Sequence, residues 1–111
     1  MNPLLEVIVT PLRRIALAKG DILHCMKKSD SGYFGFGEAY FTSINNGEVK
    51  GWKKHNSMIL NLSVPLGLVR FHFYNELLGV THAYDIGVSN YCRLSVPAGL
   101  WVAFERISDE H

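Results

Sequence analysis

Turn-forming residues interrupt this chain about every ten positions, a spacing that leaves little room for helices and favours many short strands. Glu38 to Ile44 is rich in β-formers, and Asn45-Asn46-Gly47 closes it with a hairpin-type signal. Ser57 to Val64 forms a second apolar run, ended by Pro65-Leu66-Gly67. Leu68 to Tyr74 alternates, with Val69, Phe71 and Phe73 on one face and Leu68, Arg70, His72 and Tyr74 on the other. Tyr91 to Val96 and Leu100 to Ile107 flank the turn Pro97-Ala98-Gly99. Leu4 to Thr10 and Asp21 to Met26 are shorter strand candidates, whereas Lys27 to Gly37 and Asn75 to Gly79 read as loops. Leu12 to Lys19 is the best helical stretch, yet it is eight residues long, weakly amphipathic and equally compatible with an extended chain. The expected fold is all-β, a sandwich or barrel.

A length of 111 residues fits one domain, 1–111. The 48 % hydrophobic and 19 % charged residues describe a chain that builds a core rather than a disordered one. A net charge of +1, with basic and acidic residues interspersed, gives no electrostatic case for nucleic acid. No apolar run reaches the roughly 18 residues of a membrane span. Met1 to Glu6 has no basic region, so it does not read as a secretion signal, and a cytoplasmic location is expected. Cys25 and Cys92 then read as reduced thiols rather than a bridge. Two-sheet β folds often manage their edges by pairing subunits, so a homodimer is expected.

Spacing narrows the fold further. Gly47 is followed after five residues by Lys53, and after one more by His55; Leu60 and Gly67 come next. Downstream, Pro97-Ala98-Gly99 precedes Val102 by three residues. This arrangement resembles the paired signatures of the cupins, with lysine for the first histidine, Leu60 for the glutamate and Val102 for the last histidine. The resemblance implies a single cupin jelly-roll β-barrel in which His55 alone keeps a metal-ligand position. A catalytic metal takes about three protein ligands, so neither a metal nor another cofactor is expected.

Within the cupins, Val49 to Met58, Asn61-Leu62, Val64 to Gly67, and Asn90 to Trp101 through Ser108-Asp109 resemble proteins related to dTDP-4-dehydrorhamnose 3,5-epimerase. The similarity covers about Gly37 to Asp109, roughly two thirds of the chain. It implies a metal-independent protein of deoxysugar metabolism whose ligand is a dTDP-linked 4-keto-6-deoxyhexose. In that family a histidine assisted by an aspartate removes the proton next to the ketone, and a tyrosine acts as acid. The histidine's R-G-L-H motif corresponds to Lys50-Gly51-Trp52-Lys53, which puts Lys53 at the base position. The family's tyrosine lies a few residues beyond the counterpart of Ile107-Ser108-Asp109, and this sequence ends at His111. Two readings therefore stay open: an isomerase or epimerase, and a non-catalytic cupin that binds a sugar nucleotide or other small ligand.

Lys53 acts as a base only if burial disfavours its charged form; otherwise it pairs with a substrate phosphate or stays solvated. Lys50 and His55 lie beside it in sequence as candidate substrate contacts. Asn61, between Leu60 and Leu62, is the better inward-facing polar candidate, where a buried amide needs a partner. Arg70 and His72 line a polar pocket if their face is interior, although the alternation favours Val69, Phe71 and Phe73 as the core. Trp101, like Trp52, either stacks on a base or sugar or plugs an apolar surface.

Overall fold

The computed structural model describes residues 6–107. Its nine strands are β1 (Ile8–Pro11), β2 (Arg14–Ile15), β3 (Ile22–Leu23), β4 (Val49–Lys54), β5 (Leu60–Ser63), β6 (Leu68–Asn75), β7 (Val80–Gly87), β8 (Cys92–Val96) and β9 (Trp101–Arg106). All pair antiparallel, in sheets ordered β1-β8-β5, β2-β3 and β4-β9-β6-β7. Among the described residues no ladder joins the three-stranded to the four-stranded sheet. The all-β expectation therefore holds as two facing sheets, the way jelly rolls are built, and no hydrogen-bonded ring closes a barrel. No helix is long and apolar enough to cross a membrane among these residues.

The core lies between the two larger sheets. Cys92, Leu94 and Val96 of β8 meet Phe71 and Phe73 of β6, Ile86 of β7 and Val102 of β9, with Val64 and Leu100 alongside. Phe71 stacks on Phe104 at 5.4 Å and lies 6.3 Å from Phe73, whose other neighbour is Tyr84 at 5.7 Å. Strand β6 thus turns Phe71 and Phe73 inward and sends Arg70, His72 and Tyr74 outward, as its alternation favours. Strand β8 is buried on both faces. Its odd-numbered residues Arg93 and Ser95 face away from the core and are covered by the loop through Cys25 and Gly32.

Several local expectations change. Glu38 to Ile44 forms no strand, because no strand among the described residues pairs with its backbone; a β-forming sequence needs a neighbouring ladder to become a strand. The helical option for Leu12 to Lys19 gives way to the short β2–β3 hairpin, where the Asp21 carboxylate accepts the Leu17 N–H at 3.3 Å. Strand β1 starts at Ile8, and Leu4-Leu5 and Ser108-Asp109 lie outside the described residues. The loop at Asn75 to Gly79 is a tight turn: the Asn75 side-chain oxygen accepts the N–H groups of Leu77 and Leu78 at 3.0 and 3.2 Å.

Candidate functional site

Strand β4 carries most of the family-like motif and forms one edge of the four-stranded sheet. Its register with β9 runs Val49↔Glu105, Lys50↔Phe104, Lys53↔Val102 and Lys54↔Trp101, with a bulge between Lys50 and Lys53. The extra residue resets the alternation, so both lysines stand opposite the inward residues Phe104 and Val102. Gly51 makes this geometry accessible: a Cβ there would lie 2.5 Å from the Ala103 Cβ and 2.6 Å from its Cα, at a φ of +146°.

The two halves of the motif meet here. Lys53 faces Val102 across the ladder, and the Gly99 N–H donates to the His55 carbonyl at 2.8 Å. Leu60 and Val102, at the positions where the cupin pattern has a glutamate and a histidine, instead pack in or against the apolar core. Neither side chain offers a ligand atom, and no group of three or more His, Cys, Asp or Glu is placed to hold a metal ion among the described residues.

The candidate residues separate onto three surfaces. Lys50, Lys53 and His55 stay together on β4 and its continuation. Lys50 is exposed and donates to the Thr42 hydroxyl at 2.9 Å; Lys53 is exposed with no hydrogen-bond or ion-pair partner among the described residues; His55 is half-buried. Arg70, His72 and Trp101 lie on the outer face of the four-stranded sheet. Arg70 grips Asp85 through two nitrogens at 2.7 and 3.0 Å, and this fork holds the Asp85 carboxyl below its ordinary range. His72 Nε2 bonds Glu105 at 2.7 Å.

Asn61 corrects the inward expectation. Leu60 and Leu62 take the core side of β5, so the amide between them must point the other way. There it accepts the Ser95 hydroxyl at 2.6 Å and donates to the Gly32 carbonyl at 2.9 Å, fastening a loop to the back of the three-stranded sheet.

Sequence reasoning missed one feature. Trp52, Tyr74, Thr81 and Trp101 line an open cleft of about 280 Å³ on the outer face. Lys54 sits 5.9 Å above the Trp101 ring and pairs with Glu76, whose carboxyl is lowered by Lys54 first and by the Trp101 N–H second. Thr81 reaches the cleft because β7, a strand with no clear alternation in its first half, pairs it with Tyr74. On the outer face Arg70 pairs with Asp85 and Lys54 with Glu76, while His72 is hydrogen-bonded to Glu105. Lys53, on the other face of β4, carries no such carboxylate partner among the described residues.

No protein-family description matches the chain, and no curated protein matches it. A solved structure does: a dTDP sugar isomerase from Desulfovibrio desulfuricans G20, with a TM-score of 0.88 and 28 % identity. The chain is similar in fold to that isomerase. The match spans 93 % of this chain and 69 % of that one.

Proposed function

We propose that the chain binds a sugar nucleotide of the dTDP-linked 4-keto-6-deoxyhexose class, without a metal, along the core-facing side of β4. The observation that carries this is the similarity to a dTDP sugar isomerase across nearly the whole chain, at 28 % identity. A nucleotide diphosphate is an anion, and binding it calls for cations not already committed to carboxylates. Lys53 meets that requirement, Lys50 stands on the same face of the strand across the bulge, and His55 borders the Pro97-Ala98-Gly99 turn. Arg70 and His72 are occupied by Asp85 and Glu105, Asn61 holds the Gly32 loop, and Trp101 belongs to the opposite face, so the proposed site leaves these out.

Proton transfer next to the ketone is the second reading, supported by the isomerase named in the comparison. A lysine base needs a desolvating pocket to favour its neutral form, and Lys53 is exposed. Binding is therefore the better-supported role for this side chain.

Calorimetry with dTDP-glucose and a dTDP-4-keto sugar tests the proposal. Saturable binding is expected, and Lys53→Ala should weaken it about 10- to 100-fold, the equivalent of one lost charge-assisted hydrogen bond. An unchanged affinity removes Lys53 from the site. Incubation in heavy water separates the readings: deuterium entering beside the carbonyl in wild type, but not in Lys53→Ala, would establish the isomerase role instead.

A further inference from the structure

The rings around the outer cleft are braced by neighbours whose own bonding is already complete. Trp101 carries the Lys54 ammonium 5.9 Å from its ring centre, and Lys54 pairs with Glu76, a carboxylate that the Trp101 N–H also reaches. Trp52 leans on the His72 ring at 6.4 Å, and His72 is fixed by its 2.7 Å bond to Glu105. Tyr74 stands opposite Trp101 on one side and Thr81 on the other, in the middle of three paired strands. None of this serves the core. Trp52 keeps 52 % of its surface exposed, beside a space of about 280 Å³. An indole left open among rings that are already held in position is a surface prepared for a ligand.

The chemistry of the lining narrows what that ligand is. The two cations of this face are spent, Arg70 on Asp85 and Lys54 on Glu76, so a phosphate or carboxylate meets no free counter-charge. The same pairing occupies the two carboxylates against an incoming cation. Yet the lining is not purely apolar: the hydroxyls of Tyr74 and Thr81 border the cleft and make no hydrogen bond among the described residues. An aliphatic chain would cover these hydroxyls without bonding either. An uncharged ring with an apolar C–H face and a hydroxylated edge satisfies the indoles and the hydroxyls together.

We infer that this cleft binds an uncharged pyranose sugar, stacked on Trp52 and Trp101 and hydrogen-bonded at its edge by Tyr74 and Thr81. The cleft lies on the face of β4 opposite to Lys50 and Lys53. It is therefore a second site, separate from the one proposed for the nucleotide diphosphate, and does not rest on that reading. Being open at the surface, it admits either a free sugar or one residue of a longer glycan.

Trp52 and Trp101 are the two tryptophans of the chain, so intrinsic fluorescence reads the cleft directly. Methyl α-L-rhamnopyranoside, methyl β-D-glucopyranoside and maltotriose, each titrated to about 100 mM, are the probes. At least one should give a saturable blue shift with a dissociation constant of about 1–10 mM, the range for a small ring in an open cleft. Equal affinity for a methyl glycoside and the trisaccharide supports a free sugar as ligand, and tighter trisaccharide binding supports a glycan residue. Trp52→Ala should weaken binding about tenfold, followed through the amide shifts of Tyr74 and Thr81. Thr81→Arg should fill the cleft and abolish the response; Thr81 is exposed on β7, so this variant should stay folded. Saturating dTDP should leave the sugar titration unchanged. No saturable response to any of the three sugars, or binding that survives both variants, overturns the inference. So does displacement by dTDP, which would put the sugar on the lysine face, or a response to thymidine alone, which would make the cleft a nucleobase site.

Discussion

Arg93→Met is expected to cost about 3 kcal/mol of unfolding free energy, read from the shift of the urea midpoint. Arg93 sits in the middle of β8 with 1 % of its surface exposed, on the side of the three-stranded sheet facing away from the core. Its guanidinium donates to the Cys25 carbonyl at 2.7 Å, the Asp30 carboxylate at 3.1 Å and the Ser31 carbonyl at 3.1 Å. These bonds close a loop over the sheet, and the Asp30 carboxyl is held below its ordinary range first by the Lys27 N–H and then by Arg93. Methionine keeps most of the aliphatic volume but leaves two carbonyls without their donor, at about 1.5–3 kcal/mol for each bond to a charged group. Asp30 retains access to water and can re-solvate, so the cost stays well below the sum of the three bonds. Loss of amide protection in the loop ahead of global unfolding should accompany the shift. A change under about 1 kcal/mol would mean that the loop is held without Arg93, by Asn61 and Ser95 and by the Tyr91 hydroxyl, which donates to the His24 carbonyl at 2.6 Å.

Phe73→Ala is expected to be the more damaging change, at about 4 kcal/mol. Phe73 is 2 % exposed at the centre of β6, with β7 and β9 on its two sides and the rings of Phe71 and Tyr84 against it. Truncation removes the transfer free energy of the ring and leaves a cavity between two sheets that cannot close without shifting both. Small domains have about 5–15 kcal/mol in total, so this variant should be only marginally folded at 37 °C. Leu77→Ala, on an exposed turn at 75 % accessibility, is the matched control and should stay within about 0.5 kcal/mol of wild type. Similar losses for the two variants would show that the core is not centred on β6.

The reading of β6 from sequence succeeded for the reason that makes Phe73 costly to remove. One face packs against a second sheet and the other meets water, so the period-two pattern is written into the residues. Strand β7 has no such contrast. Its first half, Val80 to Ala83, is exposed along the sheet edge, and selection for burial acts only from Tyr84 onward. Glu38 to Ile44 failed in the opposite sense, since strand-forming residues are present without a partner strand among the described residues. The meeting of Lys53 with Val102 was legible because glycine and proline spacing sets where the two strands turn. The side of Asn61 was legible in principle from Leu60 and Leu62, both of which claim the core. The outer cleft was not, because it depends on a bulge that re-aims Trp52 and Lys54 and on cross-strand pairing that brings Thr81 to Tyr74.

A nucleotide diphosphate is expected to dock at the lysine-bearing side of β4. Titration of isotopically labelled protein with dTDP, followed through backbone amide shifts, tests this most directly. Saturable changes should be largest at Lys50 to His55 and at Gly99, and should collapse in Lys53→Ala. Shifts confined to the outer face around Tyr74 and Thr81, or no shifts at saturating dTDP, would contradict it.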